Sequence, residues 1–155
     1  MEFEADAALF DVNGTLLRFG RALPGAVDLV SALPKHRWAI VTTALAAGTS
    51  PRLAAQGFPL PDVVIGGEDV TVGKPDPEGY LLAASRLGVD PARCVVFEDT
   101  VRGVSAGRAA GATVVAIATT RPAAQLSRAD AVVDSLTGIR IEVTLAGSLL
   151  VRTSP

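Results

Sequence analysis

Thiols, lysines, histidines and aromatic rings are scarce in this 155-residue chain, and the gaps in its make-up close off several classes of protein. Cys94 is the only cysteine, so no intrachain disulfide framework exists and a reducing compartment is expected. Sixteen acidic residues against 14 basic ones leave a formal charge of -2, which excludes a strongly basic nucleic-acid binder. No run approaches about 18 uninterrupted apolar residues, and Met1 to Asp6 carries three acids and no basic side chain. A soluble, cytoplasmic protein with neither membrane span nor secretory leader is therefore expected. No internal repeat, low-complexity tract or linker divides the chain, so residues 1–155 are expected to form a single domain.

What is present favours a well-packed core. Hydrophobic residues make up 49% of the chain and charged ones 19%, too apolar for disorder and long enough to bury roughly two-thirds of the unfolded surface. Twelve arginines stand against two lysines, with 26 alanines; the bias reads as codon composition, and it makes each lysine worth locating.

Apolar runs of strand length recur at Ala7–Phe10, Trp38–Thr42, Val63–Ile65, Cys94–Phe97, Thr113–Ala118 and Ala131–Val133. Several are near-continuous rather than alternating, which predicts strands covered on both faces. Between them, Ser50-Pro51 opens a short helix ending near Gly57, and Asp76-Pro77 opens a longer one ending near Gly88. A further helix lies between Pro24 and Pro34, and another over Arg102 to Ala110 is ended by Gly111. Gly103 and Gly107, four apart on that last helix, read as close-packing positions against the sheet. Ile139–Val143 and Leu149–Val151 around Ala146-Gly147-Ser148 form a hairpin, read as an edge appendage. The fold class is α/β: a Rossmann-like three-layer α/β/α sandwich with a mainly parallel sheet and a C-terminal β-hairpin.

In an open parallel sheet, ligands bind beyond the carboxyl ends of the strands, where strand order reverses. Asp11-Val12-Asn13-Gly14-Thr15 follows the first strand, Thr42-Thr43 the second and Glu98-Asp99-Thr100 the fourth, while Gly73-Lys74-Pro75-Asp76-Pro77 lies between the third and fourth. Each piece has an ordinary reading as a turn or helix cap. Together, Asp11, Glu98 and Asp99 put three carboxylates at the ends of neighbouring buried strands, where like charges repel unless a cation joins them. Mg2+, which prefers oxygen ligands and substrate phosphate, meets that need. A carboxylate such as Asp11 can then attack phosphorus, with Mg2+, Lys74, the Thr42 hydroxyl and the backbone N–H groups of Gly14 and Thr15 supplying positive field.

These stretches closely resemble the four motifs of the haloacid dehalogenase superfamily, in the form carried by its sugar-phosphate phosphatases and phosphoglucomutases. The likeness runs in order from residue 7 to about 135. It implies a Rossmann-like core and Mg2+-dependent phosphoryl transfer through an aspartyl-phosphate. Asp11 is then the nucleophile and a Mg2+ ligand. Thr42, with Thr43 beside it, binds the phosphoryl group, Lys74 stabilises its charge, and Glu98 with Asp99 holds the metal.

Two departures stand out. Asn13 occupies the position where these phosphatases and mutases carry the acid/base Asp. Its amide has no titrating proton, although its backbone C=O can still ligate Mg2+ as the resemblance implies. Loss of general acid–base catalysis is worth ~10²- to 10⁴-fold, so slow turnover is expected. Alternatively Asn13 is an engineered trap for a ligand, and deamidation at Asn13-Gly14 would regenerate some Asp. The second departure is spacing: Thr42 follows Asp11 by only 31 residues, too few for the helical cap that such relatives insert near residues 18–23. A capless site, natural or engineered, suits a phosphorylated small molecule or a bulkier phosphorylated substrate.

Other conspicuous residues read as structural. His36 lies in a basic loop at the far end of the sheet, Trp38 in the core or at its rim and Cys94 in a buried strand, while Arg102, Arg108, Arg121 and Arg128 form a solvated face, from which some could meet substrate phosphate although nothing in the sequence selects one. A nucleotide-binding P-loop is excluded because five residues separate Gly67 from Gly73 and Pro75 follows Lys74. The competing functional reading is a noncatalytic phosphate-binding or scaffold protein that retains this core. No nucleic-acid or membrane partner is expected, and the sequence leaves the oligomeric state open.

Overall fold

The computed structural model describes residues 1–155. Its central sheet uses the apolar runs in parallel: β2 (Ala7–Phe10), β5 (Trp38–Val41), β6 (Val63–Ile65), β7 (Cys94–Glu98), β8 (Thr113–Ile117) and β9 (Ala131–Val133). β2, β5 and β7 are buried at every residue because both faces of the sheet are covered. The remaining strands are β1 (Glu2–Ala5), β3 (Leu17–Arg18), β4 (Arg21–Ala22), β10 (Ile139–Val143) and β11 (Leu149–Thr153), and the helices are α1 (Ala26–Ser31), α2 (Ala46–Ala55), α3 (Glu78–Leu87) and α4 (Val101–Ala109).

The strand order β6-β5-β2-β7-β8-β9 decides where a ligand can sit. From β2 the chain steps to β5 and β6 on one side, then crosses to β7, β8 and β9 on the other. The crossovers diverge around β2 and leave a crevice at its carboxyl end. Register keeps the neighbouring strand ends level, with Phe10 opposite both Ile40 and Phe97.

Alternation along the strands divides the core in two. Phe10, Ile40 and Phe97 face one layer with Leu29 and Val30 of α1 and Leu53 of α2; Phe10 stacks on Phe97 at 4.6 Å and meets Trp38 edge-on at 6.0 Å. Leu9, Val41 and Val96 face the other, against Tyr80, Ala83 and Ala84 of α3 and Val104 of α4. Cys94 is buried in this second layer, and its thiol is pushed up to about 12 by burial.

The fold is the expected three-layer α/β/α type, with two differences. The C-terminal hairpin is not an edge appendage: β11 is the middle strand of a separate antiparallel sheet, β1-β11-β10, whose Ile139, Ile141, Leu149 and Val151 enter the first core layer. The acidic N-terminus is strand β1, held by Arg152 to Glu2 at 2.9 Å. Secondly, α2 begins at Ala46, four residues before Ser50-Pro51, with Pro51 inside it. Its start is capped from a distance, by the Glu68 carboxylate accepting the Ala46 N–H at 2.9 Å. α3 and α4 start and stop as expected, with Gly88 left-handed after α3 and Thr100 accepting the Gly103 N–H at 3.0 Å. No helix is long and apolar enough to cross a membrane.

Candidate active site

Asp11 leaves β2 at the crevice, its N–H donating to the Phe97 carbonyl at 3.1 Å. The chain then folds tightly: the Val12 carbonyl accepts from Thr15, Leu16 and Leu17 at 2.8–3.1 Å, and Gly14 takes φ 89°. A Cβ at Gly14 would stand 2.0 Å from Asp99 Oδ2, so only glycine fits here whatever its φ.

Around this turn the predicted residues converge. The Lys74 ammonium donates to Asp11 Oδ1 at 2.8 Å, Glu98 Oε1 at 2.5 Å and the Val41 carbonyl at 3.0 Å, which uses all three of its protons. The buried Thr15 hydroxyl lies 3.2 Å from both Asp11 Oδ2 and Asp99 Oδ1. Thr42 is fixed by the Ala44 N–H, which donates to its Oγ1 at 3.2 Å, leaving the Thr42 proton free for a ligand. A cleft of about 540 Å³ opens over these groups and takes in Asp11, Asn13, Thr42, Thr43 and Lys74.

One expectation changes in detail and another is narrowed. The N–H groups of Gly14 and Thr15 are committed inside the turn, to the Leu17 and Val12 carbonyls, and the Thr15 hydroxyl serves the carboxylates. The free donors of the turn are instead the N–H groups of Val12 and Asn13, which make no hydrogen bond within the chain. Of the arginines expected on a solvated face, Arg102 and Arg121 are exposed as expected and also line the cleft, whereas Arg108 pairs with Asp130 at 3.5 Å.

Residues that carry no motif of their own in the sequence complete the site. Tyr80, the only tyrosine, donates to Glu98 Oε1 at 2.5 Å. Thr120 donates to Asp99 Oδ2 and Thr119 to the Gly14 carbonyl. These two threonines follow β8 as Thr42 and Thr43 follow β5, so the strand-end rule applied once more would have found them. Gly103 lets α4 approach the site, since a Cβ there would fall 1.9–2.2 Å from the Glu98 carboxyl group.

The electrostatics are those of an under-neutralised anion cluster. Carboxylate oxygens of Asp11, Glu98 and Asp99 lie within 4.8 Å of one another, with one ammonium among them. Burial, reinforced by the Asp11 charge, pushes Glu98 up to about 7 against the pull of Lys74 and Tyr80. Burial likewise pushes Asp99 up to about 6. Burial by itself would lower Lys74, but Glu98 and Asp11 outweigh it and hold the ammonium above its ordinary value. An all-oxygen, net-anionic donor set of this kind fits a hard divalent cation. The Asn13 carbonyl beside it accepts no hydrogen bond from the chain. Glu98 is the most committed of the three carboxylates, accepting from Lys74, Tyr80, the Asp99 N–H and Thr100.

Residues 17–111 match the haloacid dehalogenase-like hydrolase family. Hexitol phosphatase A of Escherichia coli (strain K12) is 39% identical over 133 residues, which cover 84% of this chain and 62% of that protein. Validoxylamine A 7'-phosphate phosphatase of Streptomyces hygroscopicus subsp. limoneus is 37% identical over 142 residues, covering 90% of the chain and 64% of the relative. The chain thus spans a little under two-thirds of the length of these curated relatives. A crystal structure of a CbbY variant from Rhodobacter sphaeroides, in complex with xylulose-(1,5)bisphosphate, shares the fold with a TM-score of 0.78 at 22% identity, over 92% of this chain and 98% of that one. With the family matched over more than half its length and its motifs gathered at one sheet edge, the chain belongs to the haloacid dehalogenase-like hydrolases.

Proposed function

We propose that this chain is a phosphatase of small, sugar-like phosphate monoesters, working through an aspartyl-phosphate on Asp11. The observation that carries the reading is Asp11 at the switch point of the sheet, 2.8 Å from Lys74 and open to the same cleft as Thr42. Both curated relatives described above are named as phosphatases.

An Asp11 oxygen attacks phosphorus as the bond to the leaving oxygen breaks. The Val12 and Asn13 N–H groups and the Thr42 hydroxyl are available to the phosphoryl oxygens, and Lys74 contributes its charge. Asp11, Asp99 and the Asn13 carbonyl, backed by Glu98, would hold Mg2+, which supplies further neutralisation of phosphoryl charge when bound. The departing alkoxide takes its proton from water, because the Asn13 amide has none to give. A second water attacks phosphorus, releases inorganic phosphate, frees the Asp11 carboxylate and loses its proton to solvent.

Asn13 also favours a second reading, a phosphate-binding protein that no longer turns over. Its side chain is exposed and held by Arg52, which donates to Oδ1 at 3.3 Å. The Asn13→Asp variant separates the two. As a phosphatase core, it is expected to hydrolyse an aryl phosphate ~10²- to 10⁴-fold faster than the parent in the presence of Mg2+, with Asp11→Asn inert. An Asn13→Asp variant as inert as Asp11→Asn would leave the binding reading.

The proposal includes an uncapped site. Between β2 and β5 the chain forms the β3–β4 ribbon and α1. The cleft is therefore open to bulkier phosphorylated molecules, with weaker discrimination among small ones.

A further inference from the structure

The cleft is larger and more cationic than phosphoryl transfer requires. Its volume, about 540 Å³, is that of a site for a whole small molecule, and Val101 is the only apolar side chain on its walls. Arg102, Arg121 and Gln125 share those walls with Asp11 and Lys74. Arg52 reaches the rim through Asn13, and Arg18 lines the adjoining groove with Asn13 and Arg121.

What sets these arginines apart is their place on the cleft and groove combined with free charge; of the eight arginines elsewhere, four are paired and Arg21, Arg37, Arg128 and Arg140 are not. Arg86, Arg93, Arg108 and Arg152 each stand within 4.0 Å of a carboxylate. Arg18, Arg52, Arg102 and Arg121 have no carboxylate partner. Arg18 donates to the Thr119 carbonyl at 2.8 Å and Arg102 to the Lys74 carbonyl at 3.1 Å. Such contacts orient a guanidinium and use part of its five-proton fork without cancelling its charge. Arg121 makes no ion pair and no side-chain hydrogen bond, although it borders both the cleft and the groove. Its fork matches a phosphate or carboxylate in geometry as well as charge.

We infer that Arg121, flanked by Arg102 and Gln125, receives a second anionic group of the substrate. The preferred substrate class is then a phosphate monoester that carries another phosphate or a carboxylate. This inference rests on the phosphatase reading, and it assigns selectivity to the core itself.

Calorimetric titration of the full chain with Mg2+ tests it, using matched pairs of ligands. Fructose 1,6-bisphosphate is compared with fructose 1-phosphate, and 6-phosphogluconate with glucose 6-phosphate. In at least one pair the member with two anionic groups is expected to bind about tenfold tighter or better; the pair that shows it identifies the second group. The preference should collapse toward unity in Arg121→Gln and survive in Arg140→Gln, a surface arginine lining neither the cleft nor the groove. A ratio near one in the parent chain, or an undiminished ratio in Arg121→Gln, overturns the subsite while bound inorganic phosphate leaves the phosphatase reading standing. If inorganic phosphate does not bind even with Mg2+, the phosphatase reading falls and takes the subsite with it.

Discussion

Replacing Gly103 by alanine sets helix propensity directly against the geometry of the site. Within an exposed helix, glycine to alanine gains about 1 kcal/mol. At Gly103 the new methyl carbon would stand 1.9 Å from Glu98 Cδ and 2.0 and 2.2 Å from its oxygens, far inside contact distance. The carboxyl group cannot swing aside freely, because Lys74 and Tyr80 each hold Oε1 at 2.5 Å and the Asp99 N–H holds Oε2 at 3.2 Å. Hydrogen bonds to a charged group are worth about 1.5–3 kcal/mol each. Breaking those to Lys74 and Tyr80 therefore costs about 3–6 kcal/mol, and the net change is a loss of about 2–5 kcal/mol after the propensity gain. Gly48 is the internal control: it lies in the first turn of α2, and a methyl group added there would meet nothing within 4 Å, so Gly48→Ala should gain up to about 1 kcal/mol. Urea unfolding followed by circular dichroism reads both as shifts of midpoint at constant slope. Gly103→Ala as stable as its parent, or stabilised like Gly48→Ala, would refute the claim that the approach of α4 is set by Glu98.

Lys74→Met leaves Asp11, Glu98 and Asp99 without their only ammonium; a loss of about 3–5 kcal/mol is expected in metal-free buffer, and an unchanged melting temperature would count against the cluster as described. Mg2+ should raise the melting temperature of the parent chain and do so much less for Asp99→Asn, since the added ligand stabilises only the state that binds it. At the opposite end of the sheet, the Arg93 hydrogen bond holds the Asp6 carboxyl below its ordinary 3.8. A depressed carboxyl pKa adds stability above the unfolded value and loses it as pH falls through the folded one. The stability gap between the parent and Arg93→Gln should therefore shrink on acidification below pH 3.8, and a gap that widens there would be contrary to the pairing. The pair is solvent-screened, so the gap at neutral pH should be small.

Much of this was legible in the chain because the physics involved is local. All six strands of the parallel sheet appear as apolar runs, since a strand buried on both faces has no room for polar alternation. Asp11, Thr42, Glu98 and Asp99 stand out because strand ends at a switch point are where ligands bind, and Lys74 because it is one of two lysines and lies in the loop between β6 and α3. The early start of α2 was not legible, because its capping oxygen comes from Glu68, 22 residues away. Nor was the role of Gly103: packing glycines and glycines that make room for a charged side chain look alike until the neighbour is known. Gly107 is the packing kind, with Val114 Cγ2 2.8 Å from its absent Cβ.

By itself the sequence determined the class of fold, the order of the motifs, the short span between Asp11 and Thr42, and the amide at Asn13, all of them properties of residue type and spacing along one dimension. Only the tertiary structure decided how donors and acceptors are shared out. It spends every Lys74 proton on chain groups, turns Thr15 toward the carboxylates, leaves the Val12 and Asn13 N–H groups free, recruits Tyr80 and Thr120, and leaves Arg121 unpaired at the cleft. The physical reason is that a hydrogen bond or an ion pair is satisfied by proximity in space. The partners here come from strands and helices far apart in the chain, and the switch point of the sheet brings them together.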